Sequence, residues 1–343
     1  MKEVFVLGGG GFIGRNIVEH LIDRKDCNVT AGDIRKGSNW DEIMDKCPSR
    51  FNSVVDDFTN YSAFEKLGKR FDEVYMLAAV VGVNRTLKNP DAVISTNTKL
   101  TLNTLDWIAK NPIKRLLFSS SSENYAATSD LFGAEIPTKE DVPLCVGDIC
   151  HPRWTYAITK IHGESSFIHS AKKLDYDWRI VRYQNIIGPE MGFGHAIPHI
   201  VERFINKLDF PIKIYGHDQT RAFCYIDDAV QGTVGAMESV NYPNNIYHIG
   251  NSQEISMEEL TKFIGKKLGY DGDYEFAMTY PGSVSRRCPD IQKATSNLEF
   301  DPQVHWKDAV TKTVDWYKRF FESGLIPNAG GFEPPENVMA SQC

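Results

Sequence analysis

Val4-Phe5-Val6-Leu7-Gly8-Gly9-Gly10-Gly11-Phe12-Ile13-Gly14 decides the fold of this chain. Four apolar residues in a row predict a short strand buried on both faces. Arg15 to Ile22 carries the apolar spacing of a helix. A strand that turns through glycines into a helix is the dinucleotide-binding arrangement. Gly8 permits the tight turn, Gly11 lets a pyrophosphate reach the backbone, and Gly14 lets the helix pack close to the strand. A second strand, Cys27 to Gly32, ends at Asp33. That is about 20 residues beyond the glycines, where an acid grips the adenosine ribose. A carboxylate there accepts hydrogen bonds from a 2′-hydroxyl and repels a 2′-phosphate, so NAD is the expected cofactor. Arg35 leaves the NADP alternative open, because a nearby arginine can accommodate that phosphate.

Outward from this motif, strand and helix patterns alternate. Ser53–Phe58, Glu73–Ala79, Arg115–Phe118 and Trp178–Tyr183 read as strands, and Ala92 to Ile108 as a helix. Repeated units of this kind predict a Rossmann-type, doubly wound parallel α/β sheet. Ligands then gather at the carboxyl ends of the strands, where Asp33, Asp57, Ala79, Ser121 and Tyr183 fall. After Gly188-Pro189 the elements shorten, and Asn245–Gly250 reads as one further strand returning to the sheet. The expected division is an NAD-binding domain over 1–185 with a returning strand near 245–250. A smaller, discontinuous substrate lobe follows over 186–326, and a loosely ordered tail over 327–343.

The bulk properties exclude several classes. A chain of 343 residues can bury a sizeable core, and its net charge of −7 argues against general nucleic-acid binding. The seven cysteines include no CxxC pair, and the nine histidines show no HExxH spacing, so no metal site is expected. The scattered cysteines predict reduced thiols in a cytoplasm. The chain opens directly on strand residues and has no apolar run long enough to span a membrane, so neither a secretory signal nor a membrane role is expected.

Tyr156-Ala157-Ile158-Thr159-Lys160 sets a tyrosine and a lysine four residues apart, on one face of a helix. A free phenol ionises near pH ~10. A neighbouring ammonium and a bound nicotinamide cation would both favour the phenolate and make it a usable base. Alone the pair is common by chance. Here it follows Ser119-Ser120-Ser121-Ser122, itself readable as a polar strand end, and a nucleotide-binding half precedes both.

With these motifs in order, the chain from residue 1 to about 320 resembles the extended short-chain dehydrogenase/reductase family, in its nucleotide-sugar epimerase, dehydratase and decarboxylase branch. The resemblance rests on Gly8 to Gly14, Leu77-Ala78-Ala79, Ser120 to Tyr125, Tyr156 with Lys160, Arg182 to Pro189, Arg221 to Asp228, and Arg286 to Asp290. It implies that Ser121 bonds the sugar hydroxyl undergoing oxidation and that Tyr156 takes its proton. Lys160 would hold the nicotinamide ribose and lower the tyrosine's pKa, with Ser122 and Glu123 beside them in the catalytic set. Gly8, Gly11, Phe12, Ile13, Gly14, Asp33, Leu77, Ala78, Ala79 and Tyr183 are implied cofactor contacts, with Asp57 and Phe58 at the adenine. Asn97 matches a structural asparagine, which could also simply link local backbone.

Asn185 and Arg221 resemble contacts to a substrate diphosphate, and Arg287 a further substrate contact where the lobes meet. Arginine offers a diphosphate a bidentate fork. Read alone, Arg221 is also an ordinary edge-strand residue, and Arg286-Arg287 a solvated pair. His195 reads as structural. A homodimer paired through helices near Ala92–Ile108 and Thr155–Ala171 is also implied. Leu7, Met76, Asn124, Ala126 and Gln184 depart from the family pattern.

The implied chemistry is oxidation of the sugar C4 hydroxyl to a 4-keto intermediate, with an epimerase as the leading expectation. A nucleotide-hexuronate decarboxylase, a 4,6-dehydratase and a net C4 dehydrogenase are the alternatives. Ser122-Glu123 counts against the dehydratase type that carries an Asp-Glu pair and resembles nucleotide-hexuronate decarboxylases and GDP-mannose-type dehydratases. The Pro152-Arg153-Trp154-Thr155-Tyr156 context and Arg287 add weight to the decarboxylase, whereas Met191 to Pro198 does not resemble its corresponding segment. A non-catalytic NAD-binding scaffold is the competing class, and the intact Ser121, Tyr156 and Lys160 argue against it.

Overall fold

The computed structural model describes residues 1–68, 70–279 and 283–324, so the tail over 327–343 lies outside the described residues. In chain order the first half holds β1 (Lys2–Leu7), α1 (Phe12–Arg24), β2 (Cys27–Asp33), α2 (Trp40–Lys46), β3 (Phe51–Val55), α3 (Ser62–Glu65), β4 (Glu73–Met76), α4 (Val83–Lys88), α5 (Pro90–Lys110), β5 (Arg115–Ser121), α6 (Ala126–Phe132), α7 (Trp154–Leu174) and β6 (Asp177–Tyr183). A 3-10 turn, Ser122–Tyr125, joins β5 to α6. The second half holds β7 (Asn185–Ile187), α8 (Ala196–Ile205), β8 (Ile212–Tyr215), β9 (Thr220–Tyr225), α9 (Ile226–Glu238), β10 (Asn245–Ile249), β11 (Glu254–Ser256), α10 (Met257–Lys267), β12 (Tyr274–Ala277), β13 (Arg286–Arg287), α11 (Gln292–Leu298) and α12 (Trp306–Glu322).

Seven strands form the main sheet in the order β10-β6-β5-β4-β1-β2-β3, every pair parallel. Strand β1 explains why the sheet is covered on both sides. Its side chains alternate between faces. Val4 and Val6 enter the cluster built with Ile17, Val18 and Leu21 of α1. Phe5 and Leu7 enter the opposite cluster with Trp107 of α5 and Phe167 of α7. All four strand residues are fully buried, as the unbroken apolar run requires.

Helix α1 stops where Lys25 takes the left-handed conformation, φ 62°, and its N–H bonds back to Ile22. Helix α5 starts with Pro90 in its first turn, where the missing N–H costs nothing. Helix α7 sits unusually close to β5. A Cβ on Gly163 would lie 2.3 Å from the Phe118 ring, so only glycine fits that crossing. This contact sets how near α7 brings its side chains to the end of β5.

The remaining strands make two small sheets. In one, β9 pairs with β7, β11 and β13; in the other, β8 pairs with β12. Strand β10 lies in the main sheet, paired with β6 from Asn245↔Arg179 to Ile249↔Tyr183. The strand expected over Ser53–Phe58 ends at Val55, which leaves Asp57 and Phe58 in the following turn. Cys27, Cys47, Cys145, Cys224 and Cys288 are free thiols. Cys150 is not free, which corrects the expectation of seven reduced thiols; no CxxC spacing marks it in the sequence. Among the described residues, no helix is long and apolar enough to cross a membrane, and no cluster of ligating side chains could hold a metal.

Candidate active site

The glycine turn forms the floor of the site. Gly8 has φ +91°, and a Cβ there would lie 2.5 Å from the backbone nitrogen of Ala78. A Cβ on Gly14 would lie 2.1 Å from the Gly8 carbonyl oxygen, so α1 and the turn can approach only without side chains. Gly11 caps α1 with no side-chain bond, and no acid lies in the first turn. The positive end of this helix is therefore left for an anion. Beyond it, Asp33 Oδ2 accepts from Gly10 N–H at 3.1 Å, and its Oδ1 from Arg35 N–H at 3.2 Å. Burial raises the Asp33 carboxyl above its usual range, against the pull of these backbone bonds. The donors, the bare helix end and the strand-end acid fit a dinucleotide.

Around this floor the other expected cofactor residues divide. Phe12 and Ile13 open α1 half-buried, and Leu77 and Ala78 follow β4 with their N–H groups bonded to Leu7 O. Asn97 clasps the neighbouring loop: it accepts from Val80 N–H at 2.7 Å and donates to Val80 O and to Thr159 Oγ1, both at 3.2 Å. Asp57 caps its own turn through Thr59 and Asn60. The Phe58 ring is buried against Phe5 and Phe64, and its backbone carbonyl accepts from Asn103 Nδ2 at 3.1 Å. Tyr183 is likewise turned inward, its hydroxyl 2.8 Å from Thr233. These two side chains sit in the core rather than in the cleft, because their strand or turn positions alternate them inward.

Ser121, Tyr156 and Lys160 come together at the end of β5. Ser121 Oγ accepts from Glu123 N–H at 3.2 Å, and Ser121 acts on the Tyr156 phenol by lowering its pKa. Tyr156 and Lys160 lie on α7. Lys160 Nζ donates to Ser119 O at 2.7 Å and lies 5.7 Å from the Tyr156 ring centroid. Burial lowers the Lys160 ammonium to about 7, against the favourable charge of Glu164. Burial and the Glu123 charge push the Tyr156 phenol well above its usual range, and Ser121 only partly opposes them. This corrects the expectation that Lys160 depresses the phenol here. The lysine is itself desolvated, and the nearest influential charge on Tyr156 is negative.

Glu123 is the centre of a charge cluster. Arg153 Nη2 lies 3.1 Å and Arg287 Nη1 2.6 Å from its two carboxylate oxygens. Burial would raise this carboxyl, but the two guanidinium groups outweigh it and hold it at about 2. The cluster thus carries one net positive charge at neutral pH. Arg153 Nη1 is buried and has no partner. Arg153 was visible in the sequence only as the context of Tyr156; its partner Glu123 lies 30 residues earlier, on the turn after β5. Ser122, also expected here, is buried in the turn.

The expected diphosphate residues lie on the adjoining small sheet. Asn185 Nδ2 donates to Ala222 O at 2.9 Å, and Arg221 Nη1 to Thr220 O at 2.7 Å. Arg221 and Arg287 are register partners on β9 and β13. His195 caps α8 and is lowered by burial. Sequence reasoning missed Trp40, whose indole donates to Gly9 O at 3.2 Å from beneath the glycine turn. It also missed the bridge from Arg15 to Glu190 (3.1 Å) and to Pro189 O (2.9 Å), which ties α1 to the segment after β7.

A parallel sheet with a dinucleotide floor and a Ser-Tyr-Lys cluster at one strand end defines a short-chain dehydrogenase-type enzyme. A sequence profile of the NAD-dependent epimerase/dehydratase family matches residues 4–250, and the chain belongs to that family. It is 30% identical to a UDP-N-acetyl-alpha-D-glucosaminuronate decarboxylase of Bacillus cytotoxicus, over 92% of this chain and 98% of the relative. It is 28% identical to a UDP-glucuronate 4-epimerase of Thermodesulfobacterium geofontis, over 94% and 98%. Among solved structures it is similar to a UDP-glucuronic acid 4-epimerase of Bacillus cereus in complex with UDP-glucuronic acid and NAD. There the TM-score is 0.80 at 25% identity, over 93% of this chain and 99% of that one.

Asp33 governs the first expected outcome. Protein stripped of cofactor should bind NAD far more tightly than NADP, because the half-buried carboxylate accepts a 2′-hydroxyl and repels a 2′-phosphate. Calorimetric titration with each nucleotide checks this. Equal or tighter NADP binding would assign the pocket to Arg35 instead.

Proposed function

We propose that the protein is a nucleotide-hexuronate 4-epimerase working through a 4-keto intermediate. The observation that carries the reading is the Glu123–Arg153–Arg287 cluster beside Tyr156. A cluster with net positive charge and an unpartnered buried guanidinium N–H calls for an anionic substituent near the sugar ring. A C5 carboxylate, as in UDP-glucuronate, supplies one.

The chain's residues divide the work. The N-terminus of α1 and Asp33 hold NAD by its pyrophosphate and ribose, and Lys160 donates to the nicotinamide ribose. Bound NAD supplies the hydride acceptor for C4. Ser121 donates to the sugar O4 and fixes its position. Tyr156 takes the O4 proton as C4 is oxidised and returns it once the keto-sugar has presented its other face. Asn185 and Arg221 receive the diphosphate at the small sheet. Arg153 and Arg287 hold the carboxylate in its anionic form.

That last grip favours epimerisation over decarboxylation. Oxidation at C4 turns the hexuronate into a β-keto acid, which loses carbon dioxide when its carboxylate is released from stabilising charge. Decarboxylation also requires a proton delivered to C5. Against burial, Arg287 and Arg153 lower the Glu123 carboxyl to about 2, which disfavours it as the donor of that proton. The decarboxylase reading is kept as the second, because a relative 30% identical bears that name. Mass spectrometry of the product from UDP-glucuronate separates them. Unchanged mass with inverted C4 is expected; loss of carbon dioxide would establish the second reading. No reaction with any hexuronate nucleotide would overturn both.

Assembly follows from the same helices. Helices α5 and α7 lie side by side against one face of the sheet, and α5 leaves Ile94 and Leu102 exposed, 39% and 47%. Pairing them with a second copy would bury that surface and brace the helix that carries Tyr156. Light scattering at micromolar concentration should give a dimer mass, and a monomer mass would refute the pairing.

A further inference from the structure

Two positions where the chain departs from its family pattern, Asn124 and Gln184, converge on one turn. Asn124 is fully buried. Its Nδ2 donates to Ser120 Oγ at 2.9 Å and to Glu164 Oε1 at 2.8 Å. Gln184, just past β6, donates from Nε2 to the Tyr125 hydroxyl at 2.8 Å. The turn they seize, Ser122–Tyr125, carries Glu123 and is capped by Ser121.

Glu164 connects this turn to the catalytic helix. It repeats the spacing of Tyr156 and Lys160 on α7, so the three share a face. Its carboxylate also takes a bidentate bond from Arg182 of β6, at 2.8 Å to each oxygen. Asn124 thus ties the turn to a carboxylate that is already fixed from two elements. An apolar side chain at 124 would fill space without fixing direction, whereas a hydrogen bond sets both distance and angle.

Both amides also carry a cost that packing alone would avoid. Asn124 Oδ1 and Gln184 Oε1 are buried without a partner. An unpaired buried acceptor destabilises the fold. Their donated bonds offset this cost only in part, so packing alone does not account for either amide.

We propose that Asn124 and Gln184 are positioning residues that lock the Ser121–Tyr125 turn onto α7, so that Ser121 and Glu123 meet Tyr156 in reactive geometry. The inference rests on the reading of those three as the groups that act on the sugar. Both amides are buried, Asn124 fully and Gln184 7% exposed. Their loss should lower kcat and spare KM, since misplacement of reacting groups is felt in the transition state.

The test uses Asn124→Val and Gln184→Met, assayed with whichever nucleotide sugar the wild-type chain turns over. Each should lower kcat about tenfold, with KM within about twofold. The double variant should lose less than the product of the two, because both act on one turn. A purely structural role would move Tm and leave kcat of the folded protein intact. Values of kcat within about twofold of wild type would overturn the proposal. If one variant does not fold, the other decides by the same measure.

A second readout needs no substrate. The Glu123 amide donates to Ser121 Oγ, and its hydrogen exchange reports opening of the turn. Exchange should quicken about tenfold in each variant that folds while α7 is unaffected; unchanged exchange overturns the proposal. Asn124→Ser, which keeps a short donor, supplies the measurement if neither larger change folds. A wild-type chain inactive on every nucleotide sugar would refute the proposed function, and the exchange result would stand apart from it.

Discussion

Turnover of a Tyr156→Phe variant should fall by roughly 10²–10⁴-fold, the worth of one positioned acid–base group. The expectation follows from what the phenol oxygen touches. It lies where Ser121 lowers its pKa and the Glu123 charge raises it. Phe keeps the ring that Lys160 faces at 5.7 Å and removes only the oxygen. Folding and NAD binding should therefore persist, and thermal unfolding and cofactor titration would check both. Because burial and Glu123 raise the phenol, proton removal is favoured as pH rises, and wild-type turnover should increase with pH on its acid side. That limb should vanish in the variant. Near-normal turnover with the limb intact would place the base elsewhere.

How much of this site is legible in the sequence depends on how local each relation is. The glycine turn is written in consecutive residues, and its strand and helix flank it, so Gly8, Gly14 and Asp33 stand where the spacing puts them. Tyr156 and Lys160 are legible for the same reason, since four residues on a helix fix a shared face. Relations across the chain are not. Arg287 reaches Glu123 over a separation of 164 residues, and only the pairing of β13 with β9 brings it there. Phe58 and Tyr183 show the limit of assignment by position. Both lie near strand ends as the pattern requires, yet their side chains turn into the core. The electrostatics depend on burial, which no motif records. Lys160 was expected to supply charge to Tyr156, but desolvation leaves it titrating at about 7. Asn124 and Gln184 were visible only as departures; their common target, the turn after β5, needed coordinates.

Arg287→Met should separate recognition of an acid from recognition of a sugar. Removing one partner of a buried hydrogen-bonded charge pair costs about 2–5 kcal/mol, so kcat/KM for a nucleotide hexuronate should drop roughly 30- to 5,000-fold. For the matching neutral hexose nucleotide, which offers no carboxylate, the same change should cost about tenfold or less. Met keeps much of the side chain's volume, and Arg153 still pairs with Glu123 at 3.1 Å, so the turn retains one anchor. The variant also has a pH signature in stability. Glu123 titrates at about 2 in the folded chain against an ordinary 4.5. Its pairing therefore stabilises the fold fully above the ordinary value, and that contribution disappears as pH falls through about 2. The Tm deficit of Arg287→Met should be widest at neutral pH and should narrow as the solution is acidified below the ordinary carboxyl range. Kinetics on the two nucleotides and melting curves across that range are the measurements. Equal losses on acid and neutral sugars would remove Arg287 from substrate recognition and leave it as a brace for Glu123. The hexuronate reading would then lose the charge cluster that carries it.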